Sequence, residues 1–80
     1  MPILYVRPGC PYSHKVLLEA EELGVTFELK NVNEPAIADE LVSRGGKLQM
    51  PYLVDEEHGV EMYESEDIIA HLHESFTPKP

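Results

Sequence analysis

Arg7-Pro8-Gly9-Cys10-Pro11-Tyr12-Ser13 joins a short apolar run, Ile3-Leu4-Tyr5-Val6, to a stretch with helical spacing, and the rest of the chain is placed by reading that junction. Four apolar residues suit a buried strand and are too few for a helix. Pro8-Gly9 ends the run. Pro11 fits the first turn of a helix, where a missing N–H costs nothing. That helix carries Val16, Leu17, Ala20 and Leu23 on one side and ends at Gly24. Cys10 therefore stands where a strand gives way to a helix. A thiolate there meets unpaired N–H groups and the positive end of the helix dipole, and Arg7 adds a nearby charge. A lone cysteine is commonly a small buried hydrophobe. Its place on a turn, off any core face, reads instead as a reactive thiol with a lowered pKa.

Working outward, residues 26–32 alternate, with Phe27, Leu29 and Asn31 on one side and Glu28 and Lys30 on the other. Asn33-Glu34-Pro35 predicts a second helix with Asn33 as its cap, an apolar face of Ile37, Leu41 and Val42, and an end at Gly45-Gly46. Pro51 to Val54 reads as a third strand, Asp55 to Gly59 as a turn, and Val60 to Tyr63 as the partner strand of a hairpin. Ser65 is the expected cap of a last helix, with Glu66 and Asp67 in its first turn and Ile68, Ile69, Leu72 and Phe76 on its buried side. The order β-α-β-α-β-β-α predicts an α/β fold. Its four-stranded mixed sheet has one parallel pair, one hairpin and three flanking helices.

Eighty residues make a single domain, 1–80, ending in a short tail, Thr77-Pro78-Lys79-Pro80. One cysteine rules out an intrachain disulfide and fits a reducing, cytoplasmic setting. No signal peptide is read at the amino terminus, and no apolar run is long enough for a bilayer. A formal charge of -9 argues against nucleic acid and anionic membranes as partners. An anionic ligand would have to rely on a local basic spot.

Arg7-Pro8-Gly9-Cys10-Pro11-Tyr12-Ser13 resembles the active-site segment of glutaredoxins, in which a basic residue and Pro-Gly precede Cys-Pro-Tyr-Cys. Gln49-Met50-Pro51 falls where glutaredoxins and glutathione transferases carry a cis-proline. Tyr63-Glu64-Ser65-Glu66-Asp67 is similar to the acid–serine pair that opens the last helix of transferase amino-terminal domains. The resemblance runs from Ile3 to about Phe76 and implies a thioredoxin-like (glutaredoxin) fold that uses glutathione as co-substrate. It implies Cys10 as nucleophile and Ser13 as a hydrogen-bond donor towards its sulfur. Arg7, Tyr12, Lys47, Met50, Pro51, Glu64, Ser65 and Glu66 are the implied glutathione contacts. In this reading Met50 offers its backbone to the cysteinyl part, and Ser65 and Glu66 hold the γ-glutamyl carboxylate. Glu64 accepts from the ammonium, while Lys47 or Arg7 meets the glycyl carboxylate.

Each of these residues also has a plainer reading. Ser65 is a good helix cap on its own, and Pro51 is tolerated at the start of a strand. Tyr12 can be a surface aromatic, Tyr5 and Tyr52 read as sheet packing, and Lys47 as a solvated charge.

Ser13 stands where dithiol members have their second cysteine, so the two-cysteine cycle is closed to this chain. A monothiol route remains, acting on glutathionylated proteins or small mixed disulfides, with a monomer expected. Two alternatives stay open. Some monothiol glutaredoxins carry a [2Fe–2S] cluster between two subunits, held by one cysteine and one glutathione from each. The other alternative is a transferase-like module that only binds glutathione, because conjugating electrophiles needs an all-helical second domain. His14, His58, His71 and His73 read as ordinary surface histidines: His71 and His73 point apart on their helix, and no metal is expected.

Overall fold

The computed structural model describes residues 1–76, so the tail at 77–80 lies outside the described residues. The elements are β1 (Ile3–Val6), α1 (Pro11–Leu23), β2 (Glu28–Asn31), α2 (Pro35–Gly45), β3 (Tyr52–Asp55), β4 (Val60–Met62) and α3 (Ser65–Phe76). The strands lie in the order β2-β1-β3-β4, with β1 and β2 parallel and the other two pairs antiparallel. This is the expected β-α-β-α-β-β-α thioredoxin-like fold.

Both faces of the sheet are covered, which is why β1 and β3 read as continuous apolar runs. Leu4, Val6 and Leu53 point to one face and pack with Val16 and Ala20 of α1 and Ile68 and Leu72 of α3. The alternate positions, Tyr5, Tyr52 and Val54, point to the other and pack with Val32 and Leu41 under α2. Leu4 pairs with Leu53 and Tyr5 with Tyr52, so the hydrophobic pattern fixes the register. The tyrosines are core residues, as read, and their hydroxyls reach the rim. Tyr5 donates to Glu40, which also accepts from Lys30 at 2.7 Å, and Tyr52 donates to Glu61 at 2.6 Å.

Four expectations are corrected. β2 is shorter than 26–32 and Leu29 is 54% exposed, because β2 is an edge strand beyond the cover of α1 and α3. Phe27 does reach the core. Glu34, and not Asn33, is the cap residue of α2. Pro35 must be the first helical residue, and the residue before a proline is driven to extended geometry. Asn33 instead donates its N–H to the Asn31 side chain at 2.8 Å. Val42, placed on the apolar face of α2, is exposed. Ser65 lies inside the first turn of α3: Ile68 N–H donates to Glu64 C=O at 3.0 Å, so Glu64 holds the cap position.

The turns that aim the helices follow from local chemistry. Cys10 N–H closes on Arg7 C=O at 3.1 Å with Gly9 at φ 83. Pro8 followed by a left-handed Gly9 is what a type II turn requires. Gly46 ends α2 in left-handed geometry. Gly45 serves differently: a Cβ there would collide with the Tyr63 ring, whose hydroxyl donates to Lys47 C=O at 2.7 Å.

Candidate functional site

Cys10 occupies the cap position of α1, in extended geometry (φ -78, ψ 121), with Pro11 as the first helical residue. A cap side chain folds back over the first turn towards the N–H groups of the second and third helical residues. That tucking leaves Cys10 only 6% exposed, more enclosed than a turn position predicts. Burial pushes its thiol pKa up. The backbone N–H and hydroxyl of Ser13, the N–H of Tyr12 and the Arg7 charge outweigh burial and hold it below the ordinary value. The lowered pKa expected from the sequence is therefore present.

Ser13 is buried, and its hydroxyl makes no hydrogen bond of acceptable geometry. It is nevertheless among the groups that hold the Cys10 pKa down. A buried hydroxyl with no partner loses the full cost of its desolvation. The thiolate is the acceptor that would relieve it.

Three segments meet at the start of α1 to form a cleft of about 340 Å³. Tyr12 comes from α1, Gln49, Met50 and Pro51 from the loop before β3, and Glu64, Ser65 and Glu66 from the start of α3. Met50–Pro51 is a cis peptide, as read from the sequence. Six of the expected contacts are thus brought together. Arg7, Cys10 and Ser13 line a neighbouring cavity that includes His14 and Leu17. Lys47 lines neither; its ammonium sits over the Tyr63 ring, 4.8 Å from the centroid.

Glu64 is the one non-glycine residue at positive φ among the described residues, at φ 66. Such a conformation costs about 1 kcal/mol or more and persists only where surroundings impose it. Here it turns the chain so that the first N–H groups of α3, which have no partner within the helix, open beside the cleft. Its carboxylate accepts from the Gln49 side-chain amide at 3.1 Å. Across the cleft edge, Lys15 of α1 pairs with Glu66 of α3.

Gln49 and Lys15 were not among the expected site residues. Lys15 lies one turn after Tyr12 and so shares its face of α1. That much was available in the sequence, but the approach of α3 to that face was not.

His14, His58 and His73 are exposed, as expected, and His71 departs from expectation. His73 is a half-exposed partner of Glu19 at 3.0 Å. His71 is not a surface residue: its side chain is 10% exposed, and with His58 it converges on the buried carboxylate of Asp55.

Among proteins of known family, the profile described as glutathione S-transferase, N-terminal domain, matches residues 4–80. The stringent starvation protein A homolog of Haemophilus ducreyi is 32% identical over 69 residues, covering 86% of this chain and 31% of that protein. Glutathione S-transferase 1-6 from Anopheles dirus species B superposes with a TM-score of 0.79 at 31% identity, over 95% of this chain and 36% of that one. A delta-class glutathione transferase of Nilaparvata lugens gives a TM-score of 0.82 at 26% identity, over 99% and 38%. The chain thus spans about a third of the length of the proteins it matches. Among the described residues, no helix is long and apolar enough to cross a membrane.

Proposed function

This chain belongs to the glutathione S-transferase N-terminal domain family, and on that premise we propose that it is a glutathione-dependent monothiol oxidoreductase acting through Cys10. The observation that carries the proposal is a thiol at a helix cap, with its pKa lowered, two residues before the tyrosine that walls the cleft. Glutathione is the ligand whose chemistry fits that cleft. The start of α3 offers N–H groups and the Ser65 hydroxyl to the γ-glutamyl carboxylate, and Glu64 offers an acceptor to the ammonium. Met50 borders the space where the cysteinyl part would lie.

The Cys10 thiolate attacks the glutathione sulfur of a mixed disulfide. The Cys10–glutathione S–S bond forms as the original S–S bond breaks, and the substrate thiolate leaves and takes a proton from water. A second glutathione, as thiolate, attacks the glutathione sulfur of the adduct. Oxidised glutathione departs and Cys10 returns as thiolate. Ser13 cannot resolve the adduct, and its role is to hydrogen-bond the charged sulfur.

The test is a coupled assay for reduction of a small glutathione mixed disulfide, comparing the chain with Cys10→Ser. Turnover that disappears in the variant, with a Cys10–glutathione adduct seen by mass spectrometry, supports the proposal. Equal rates would overturn it. One observation favours a second reading, a module that binds glutathione without turnover: Cys10 is buried. Glutathione binding by calorimetry with no adduct and no turnover would select that reading.

A further inference from the structure

At the far end of β3, away from the cleft, three potential ligands come together from two parts of the chain. Asp55 ends β3, His58 lies in the turn to β4, and His71 is on α3. Their ligand atoms all lie within 4.8 Å of one another. Oδ2 of Asp55 is 2.7 Å from Nδ1 of His58 and 2.8 Å from Nε2 of His71. We propose that Asp55, His58 and His71 form a three-ligand site for a divalent cation of the zinc type, which fastens the β3–β4 turn to α3.

The donor set is right for such an ion. Two imidazoles and one carboxylate, with a fourth position left to water, is an arrangement that zinc accepts, at bond lengths of about 2.0–2.2 Å. Placing the ion requires the two N···O separations to widen by roughly half an ångström, within the reach of side-chain rotation. The surroundings hold each ligand in place. His58 N–H approaches the other carboxylate oxygen, Oδ1 of Asp55, at 3.4 Å, which leaves Oδ2 for the imidazoles. Oγ of Ser75 lies 3.3 Å from the far nitrogen of His71. Outer partners of this kind fix the tautomer of a ligating histidine. Phe76 stands edge-on to both rings, with centroids 5.3 Å from His58 and 6.3 Å from His71, and walls the site with apolar surface.

Proton bookkeeping closes without a net change. As neutral imidazoles, both histidines can donate N–H to Oδ2. On binding, the His58 proton moves to its outer nitrogen, and the His71 proton moves to the nitrogen facing Ser75, which accepts it. His58, 37% exposed, gives the ion its way in, while Asp55 and His71 are enclosed. A carboxylate needing only satisfaction would be content with one histidine and a backbone N–H. Two imidazoles aimed at the same oxygen are the observation that points to a cation. The inference is independent of glutathione binding.

The chain, stripped with a chelator, is titrated with Zn²⁺ by calorimetry and by thermal unfolding, with Co²⁺ as the spectroscopic probe. The expected result is one ion per chain and a melting temperature that rises with zinc. At free zinc a hundredfold above Kd, the folded-to-unfolded ratio rises about a hundredfold. His58→Gln and His71→Gln each weaken binding by at least about tenfold. His73→Gln and Cys10→Ser leave it unchanged. His58 is the more exposed ligand, so His58→Gln tests the site even where His71→Gln disturbs packing. Absence of binding, binding indifferent to His58→Gln, or a Co²⁺–thiolate charge-transfer band that vanishes in Cys10→Ser would each overturn the proposal.

Discussion

Helix α1 starts from Cys10 in ordinary extended geometry, while α3 starts from Glu64 held at φ 66. Both starts open beside the same cleft, and both offer unpaired N–H groups to a negative charge. At α1 the group that draws on them is the chain's own Cys10 thiol, whose pKa they hold below its ordinary value against burial. At α3 Glu64 lines the cleft, and in the proposed function the first N–H groups are left for the ligand. In the proposed function, one helix end supplies the nucleophile and the other the receptor. The difference lies in the cap: a thiol that folds back over its own helix, against a carboxylate displaced by a left-handed backbone.

The largest expected effect breaks the comparison on the α1 side. Cys10→Ser reduces turnover of a glutathione mixed disulfide to the uncatalysed background, since a hydroxyl is not ionised near neutral pH. With Cys10 intact, the rate of alkylation by iodoacetamide rises with pH to a plateau, with its midpoint below 9.0, the ordinary value for a thiol. The stability linkage has a definite sign. A depressed folded pKa means that the folded state favours the thiolate. The stabilisation is full above the unfolded pKa and is lost as pH falls through the folded one. Ser13→Ala removes one group that lowers this pKa, so the plateau shifts to higher pH. An unmoved alkylation profile would show that Ser13 does not act on the sulfur.

On the α3 side, Glu64→Ala with Ser65→Ala weakens glutathione binding by about ten- to a hundredfold, the span of lost hydrogen bonds to charged groups. Equal affinity, measured by calorimetry, would remove the γ-glutamyl assignment. Glu64→Gly sharpens the point, because its two effects have opposite signs. Glycine takes φ 66 without strain, so stability rises by up to about 1 kcal/mol. The acceptor for the ammonium is lost, so binding falls. A rise in both quantities would mean that Glu64 is there for the turn alone.

The same contrast explains what the sequence could tell. The start of α1 is written locally: Pro8-Gly9 forces the turn, Pro11 sets the first helical residue, and Cys10 is left at the cap. The order of strands and both core faces follow from alternation in β1 and β3, which reads directly off the chain. At α3 the local rule misled. Ser-Glu-Asp is a good cap sequence, yet the chain places Ser65 one position further in and pays with strain at Glu64. Nothing local announces a left-handed glutamate. Lys47 and His71 were misplaced for a related reason. The loop takes Lys47 to the face of Tyr63, and the packing of α3 against the hairpin takes His71 to Asp55. Both are facts of tertiary packing.

The smallest effects test the two lysines. Lys15 pairs with Glu66 at the cleft edge, with both side chains largely in solvent, so the pair adds at most about 1 kcal/mol to stability. Its larger influence is on the field of the cleft. Lys15→Ala removes the cation paired with Glu66, and glutathione affinity falls about two- to threefold, less at high salt. Lys47, held over the Tyr63 ring and outside the cleft lining, has no such reach. Lys47→Ala therefore leaves glutathione affinity unchanged within error and costs about 0.5–1 kcal/mol of stability from the lost cation–π contact. Calorimetric titration of the two variants at low and high salt checks both. Should Lys47→Ala prove the more damaging to affinity, the ligand would extend past Tyr63, and the receptor would no longer be the start of α3 alone.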